Sequence, residues 1–193
     1  MSALKLNLGC GRNILQGWVN VDSTPLPGVD VVANLDRCAH QPLPFSDSTV
    51  DEFLLSHVIE HIHQPLPLMQ ELHRVARPGA RMVIRVPHGA SDDAHEDPTH
   101  VRLHFPGSFA YFSQLAYWRA DYGYRGDWEM RKLTLFVNPA EHAQKTQEEI
   151  LERMQRMRNV VREMMAELEA IKPLRVPDTA YSPAYQTVIM VDD

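Results

Sequence analysis

Leu4-Lys5-Leu6-Asn7-Leu8-Gly9-Cys10-Gly11 constrains this chain more than any other stretch, because a short apolar strand there runs straight into a glycine-rich turn. Gly9 and Gly11 carry no Cβ and reach positive φ without strain, so backbone at the carboxyl end of a strand can wrap closely under a small molecule. A second strand, Gly17-Trp18-Val19-Asn20-Val21-Asp22, ends in an acid where a ribose diol would lie. Strand, glycine turn, strand and acid together point to nucleoside binding. Ile14 stands where a dinucleotide fingerprint has its third glycine, and eleven positions separate Gly11 from Asp22. The usual unit has about twenty, so the first crossover helix is expected to be very short or absent.

Further along, residues 29–33, 50–55 and 82–86 read as strands. A helix carries Leu66, Met69, Leu72, Val75 and Ala76 on one face and runs to a Pro78-Gly79 stop. Strands alternating with helices give an α/β class: a Rossmann-like, doubly wound, mostly parallel sheet. With 193 residues and 44% hydrophobic content, one domain over 1–193 is expected. A net charge of −6 provides no basic field, which disfavours nucleic acid as a partner. Two cysteines, Cys10 and Cys38, make no disulfide framework, and no apolar run has the length of a membrane span. The expectation is a cytoplasmic protein without a membrane partner.

The motifs Leu-Asn-Leu-Gly-Cys-Gly and Gly-Trp-Val-Asn-Val-Asp resemble those of class I S-adenosylmethionine-dependent methyltransferases, of the small type 11 kind. Pro42-Leu43-Pro44-Phe45, Ser56-His57-Val58-Ile59-Glu60-His61 and Arg74-Val75-Ala76-Arg77-Pro78-Gly79-Ala80 follow in that family's order. The resemblance covers residues 4 to about 115 and implies S-adenosyl-L-methionine as cofactor. The implied contacts are Asn7, Gly9, Cys10, Gly11 and Asn13 in the first turn, then Trp18 and Asp22. They continue with Asn34, Leu35 and Asp36 toward the adenine, and Ser56, His57 and His61 after the fourth strand. An asparagine carbonyl at Asn34 can accept the amine hydrogen bond that the family often gives to an acid. The Asn-Pro-Pro-Tyr type tetrad of base-amine methyltransferases is missing at Ser56-His57-Val58-Ile59, so the implied acceptor is a small molecule or sugar-like compound.

Residues 87–104 hold four histidines, three aspartates and a glutamate at the carboxyl edge of the sheet. One reading is a lid and acceptor site, with His100 or His88 as general base, Asp97 orienting a histidine, Arg102 fixing an anionic group and His57 positioning. A second is a divalent metal, and with it a metal-dependent hydrolase using His88, Asp92, Asp93, His95, Asp97 and His100. The spacing fits no established zinc signature, and no metal ligand is assigned. A third is a solvated loop shaped by its turn formers. A non-catalytic module that only binds the nucleoside is the other alternative.

Residues 105–118 read as an aromatic helix, and residues 130–137 and 185–191 as the antiparallel pair that closes the family's sheet. Between them, Ile150, Met154, Met157, Val161, Met164, Leu168 and Ile171 step by four and three. A period of 3.5 predicts one long inserted helix over 139–172 whose seam either pairs two chains as a homodimer, the favoured reading, or lies back on its own domain.

Overall fold

The computed structural model describes residues 3–118, 120–142 and 145–191. Eight strands form one sheet: β1 (Lys5–Leu8), β2 (Val19–Asp22), β3 (Val31–Val32), β4 (Val50–Ser56), β5 (Ala76–Pro87), β6 (Trp128–Val137), β7 (Val161–Ala170) and β8 (Gln186–Val191). Their spatial order is β3-β2-β1-β4-β5-β7-β6-β8. Every neighbouring pair is parallel except those made by β7, which runs against both β5 and β6. Leu6, Leu8, Val21, Phe53, Leu55, Met82 and Ile84 are all buried and, by the parallel register, share one face of the sheet, while Leu54, Val83 and Arg85 on the other face are only partly buried. The order reverses at β1, which has β2 on one side and β4 on the other. That crevice is where ligands bind in such sheets.

No helix forms between β1 and β2 among the described residues, in line with the short spacing of Gly11 and Asp22. Helix α1 (Pro65–Val75) buries Leu68, Met69, Leu72 and Val75. It stops three residues before Pro78, and Ala76 is already extended, pairing with Val50. A residue preceding proline is driven out of the helical region, so Arg77 belongs to the strand. The register then shifts before Glu52 meets Arg81, and Gly79 at φ +77 turns within that irregular stretch.

The long helix expected over 139–172 does not form. In its place stand helices α3 (Pro139–His142) and α4 (Gln147–Met154) and the strand β7; α2 (Asp93–Glu96) precedes them in the chain. Asn159 turns the chain at φ +60, and from Met164 the buried residues alternate: Met164, Ala166, Leu168, Ala170. The step of three from Val161 to Met164, which imitates a heptad, comes from a register shift between Phe136 and Val137 against β6. A two-residue period with one irregularity thus imitates a 3.5-residue one. The slot between β5 and β6 decides the outcome, because a strand there completes two ladders of backbone hydrogen bonds. Ile150, Val161, Met164 and Leu168 are buried within their own chain, so the seam on which a homodimer was expected has no counterpart.

Two further expectations change. Residues 105–118 form short 3-10 turns, Pro106–Phe112 and Gln114–Trp118, instead of one helix, although Phe109, Phe112 and Tyr117 are buried as expected. The strands at 130–137 and 185–191 are parallel neighbours, and the antiparallel closing strand is β7. No helix among the described residues is long and apolar enough to cross a membrane.

Candidate active site

At the carboxyl end of β1 the chain turns at Gly9 (φ +61) and Gly11 (φ +51). A Cβ on Gly9 would lie 2.6 Å from Val58 Cγ2, so this glycine is required both by its backbone angle and by the packing of the β4 exit against it. A Cβ on Gly11 would meet nothing within 4 Å, which leaves that face of the turn open to a ligand. Asp22, at the end of β2, holds the turn in place. Its Oδ2 accepts from the Gly11 N–H at 2.8 Å and its Oδ1 from the Thr24 N–H at 2.9 Å. A carboxylate has about four lone-pair sites, so two remain for hydroxyls.

A recess of about 210 Å³ opens here, lined by Gly9, Asp22, Ala33, Asn34, Asp36 and His57, with Leu35, Val58 and His61 among its other walls. The recess joins segments that are far apart in sequence. Asn34 caps a 3-10 turn (Leu35–Arg37), its side chain accepting from the Asp36 N–H. Asp36 accepts from the N–H groups of His63 and Gln64 and from the His63 ring. Burial works against its charge, but those bonds hold Asp36 below the usual carboxylate range. Asp36 thereby joins the 34–37 turn to the start of α1, and Asn34 is the freer of the two side chains for an adenine amine.

Not every residue expected at the cofactor lies in the recess. Asn7 is buried and its side chain donates to Asn13 O and Asn20 Oδ1, so Asn7 and Asn13 shape the loop behind the turn. Cys10 is buried, and burial followed by the charge of Asp22 raises its thiol pKa. Ser56 pairs in the ladder with Arg85. Trp18 sits at the opposite edge of the sheet, beneath the Lys5 ammonium at 5.5 Å and in a groove with Glu52 and Arg81. A tryptophan that opens a strand lies at its amino end, whereas the ligand lies at the carboxyl end; that is why Trp18 falls outside.

His57 leaves β4 in the left-handed region at φ +54, a conformation that non-glycine residues adopt at a cost. Its Nε2 lies 2.7 Å from Glu163 Oε1 on β7, and its Nδ1 3.5 Å from Glu60 Oε1. Hydrogen bonding to Glu163 first, and then to Glu60, pushes the His57 pKa up to about 9. At neutral pH His57 is therefore held as a cation between the two carboxylates. Glu163 is also paired with Arg85; although burial opposes its charge, His57 and Arg85 hold its pKa below the ordinary value. No local motif marks Glu163, which stands in the stretch whose apolar spacing imitates a helix.

The 87–105 segment folds over the exit of β4. The N–H groups of Val101 and Arg102 both donate to Glu60 O, and Arg102 donates through Nε to Ile62 O and through Nη2 to His63 O. Arg102 is thus a strap between two loops, in place of the anion-binding role expected of it. His88 is buried, its Nδ1 accepts from the Ala90 N–H, and burial lowers its pKa. It sits at the neck of the segment, stacked edge-on to Phe105, and does not line the recess. His100 does not line the recess either, but it packs against His61, which does. Its Nδ1 meets Ala94 O at 3.1 Å, Asp97 lies 3.8 Å from its Nε2, and its ring packs edge-on to His61 at 4.8 Å. Of the acids offered as metal ligands, Asp92 is bound to Arg158 and Asn159, and Asp93 to Arg162.

The recess lies at the switch point of the sheet, where ligands bind in doubly wound folds. Residues 6–84 match the family model described as a methyltransferase domain. An uncharacterized methyltransferase of Mycolicibacterium gilvum is 46% identical over 48 residues, 25% of this chain and 19% of that protein. The match thus spans about a fifth of that relative's length. Among solved structures, a SAM-dependent methyltransferase from Archaeoglobus fulgidus superposes with a TM-score of 0.59 at 16% identity, covering 86% of each chain. One from Thermotoga maritima, described as a possible histamine N-methyltransferase, gives 0.54 at 11% identity over 89% of this chain and 83% of that one. Over residues 6–84 the chain thus resembles a methyltransferase domain, and it shares its fold with S-adenosylmethionine-dependent methyltransferases. S-adenosylmethionine is the cofactor this implies, and the open face of Gly11 and the remaining lone pairs of Asp22 suit a nucleoside.

Proposed function

We propose that this chain transfers a methyl group from S-adenosylmethionine to a small-molecule or sugar-like acceptor bound beneath the 87–105 segment. The observation that carries the reading is a single recess bounded by the glycine turn, Asp22, Asn34 and His61. His61 also touches the folded-over segment through Thr99, so the cofactor recess and the covering segment share a wall. When bound, the cofactor supplies an electrophilic methyl carbon on a sulfonium. The residues of the chain then have three tasks: to hold the ribose on Asp22, to align the acceptor in line, and to exclude water. Such alignment can be worth about 7–11 kcal/mol of barrier in favourable cases. His100 is the group best placed to take an acceptor proton, since donation of its Nδ1 proton to Ala94 O leaves a lone pair on Nε2.

The test is acceptor-dependent formation of S-adenosylhomocysteine, followed by mass spectrometry, across hydroxylated, phenolic and amine compounds. Product above the acceptor-free background is the expected result. A protein that binds the cofactor but never exceeds that background would instead fit a non-catalytic nucleoside-binding module.

A further inference from the structure

We propose that Glu60, His61 and His100 form a binding site for one divalent transition-metal ion of the zinc class, on the wall between the cofactor recess and the 87–105 segment. One ligand atom from each of the three lies within 4.8 Å of the other two. Two imidazoles and a carboxylate suit zinc, manganese or iron better than magnesium or calcium, and three protein ligands leave a position for a further oxygen.

Two independent features point to an ion. The first is Glu60, whose residue is 2% exposed. Neither carboxylate oxygen has a short hydrogen bond among the described residues: Oε1 has only the long contact of 3.5 Å to His57 Nδ1, and Oε2 has none. A buried carboxylate so weakly satisfied is costly, and a metal ion lowers that cost. The second is the outer layer around the two histidines. His61 Nδ1 faces Thr99 O at 3.2 Å and Thr99 Oγ1 at 3.0 Å, while Thr99 Oγ1 donates to Asp97 Oδ1 at 2.6 Å. His100 Nδ1 faces Ala94 O at 3.1 Å. Each ring therefore carries its proton on Nδ1, given to an oxygen acceptor, and offers Nε2 as a lone pair. Metal-bound histidines are held in this way.

The sequence concealed the set because Glu60 and His61 lie about forty residues before His100. The metal reading of the 87–104 segment sought all its ligands inside that segment. The backbone bonds from Val101 and Arg102 to Glu60 O bring the two pieces together. An ion at this place would hold an oxygen-bearing acceptor, a use that rests on the methyl-transfer reading, and it would make His100 a ligand where the apo geometry offers a base. Metal binding itself does not depend on that reading.

The test is calorimetric titration of tag-free, chelator-stripped protein with Zn²⁺ alone, in the absence of cofactor, with Co²⁺ absorption as a second readout. One equivalent per chain is expected. Losing an outer-layer partner typically costs 10–100-fold in metal affinity, so Thr99→Val should weaken binding by about that much and His61→Ala or His100→Ala by at least about 100-fold. His95→Ala, whose ring lies on Gly89 O, should leave binding unchanged. Thermal unfolding of the stripped proteins keeps loss of fold apart from loss of a ligand. No saturable binding by wild type, or full binding retained in well-folded His61→Ala and His100→Ala proteins, would overturn the proposal. Acceptor-dependent turnover in a protein that binds no metal would overturn it while leaving the methyl-transfer reading intact.

Discussion

Replacing Arg175 by alanine is expected to destabilise the fold by about 3–5 kcal/mol, the range seen when one partner of a buried ion pair is removed. Asp127, at the entry to β6, is 0% exposed. Its carboxylate accepts from Arg175 Nε at 2.8 Å and Nη2 at 2.7 Å, and also from the backbone N–H groups of Gln114 and Arg175. Arg175 extends the network to Glu129 and to Ser113 Oγ. Without the guanidinium, the buried carboxylate keeps only two backbone donors. Arg175→Lys should recover only part of the loss, since an ammonium cannot reproduce the fork. Adding Asp127→Ala to Arg175→Ala should cost less than the sum of the two changes, because they share one interaction. Urea unfolding of wild type, the three single variants and the double variant measures these differences. A loss below about 1 kcal/mol for Arg175→Ala would show the pair to be worth no more than a surface salt bridge.

Gly9→Ala is the second large effect expected, and it separates two causes that usually act together. Gly9 and Gly11 both have positive φ, so alanine at either position incurs a backbone strain of about 1–3 kcal/mol. Only at Gly9 does the new methyl collide, with Val58 Cγ2 at 2.6 Å and Cγ1 at 3.0 Å. Val58 opens the turn that carries Glu60 and His61, so displacing it moves the wall of the recess. Gly9→Ala should therefore lower both thermal stability and affinity for S-adenosylhomocysteine more than Gly11→Ala lowers stability. Val58→Ala in the Gly9→Ala background should recover much of that difference. Equal stability of the two single variants would show that packing against Val58 contributes nothing.

The half of the sheet that forms the recess could be read from the chain because its signals are local. Leu6 and Leu8 before Gly9, Val21 before Asp22, and Phe53 and Leu55 before Ser56 each combine a buried apolar run with the residue that ends it. The other half could not. In β7, Ala166 and Ala170 alternate with Glu163, Glu167 and Glu169, residues of good helix propensity. The ladders to β5 and β6 override that preference, and sequence alone does not display those ladders. The site divides along the same line. Asp22 and Asn34 follow from strand ends, whereas Glu60, Glu163 and the re-use of Arg102 as a strap depend on contacts between distant segments. Trp18 shows the reverse error: proximity in sequence to Asp22 placed it at the ligand, while the direction of β2 takes it to the far edge of the sheet.

The central claim is that the recess at the end of β1 and β2 holds the nucleoside of S-adenosylmethionine on Asp22. Calorimetric titration of S-adenosylhomocysteine into wild type, Asp22→Asn and Asp22→Ala tests it most directly. Asparagine keeps an oxygen for the Gly11 N–H, so it preserves the turn while removing the charge; alanine removes both. A charge-assisted hydrogen bond is worth about 1.5–3 kcal/mol, so Asp22→Ala should weaken binding by roughly ten- to over a hundredfold, with Asp22→Asn between it and wild type. Wild-type protein that binds no S-adenosylhomocysteine, or an Asp22→Ala protein that binds it with unchanged affinity, would contradict the assignment.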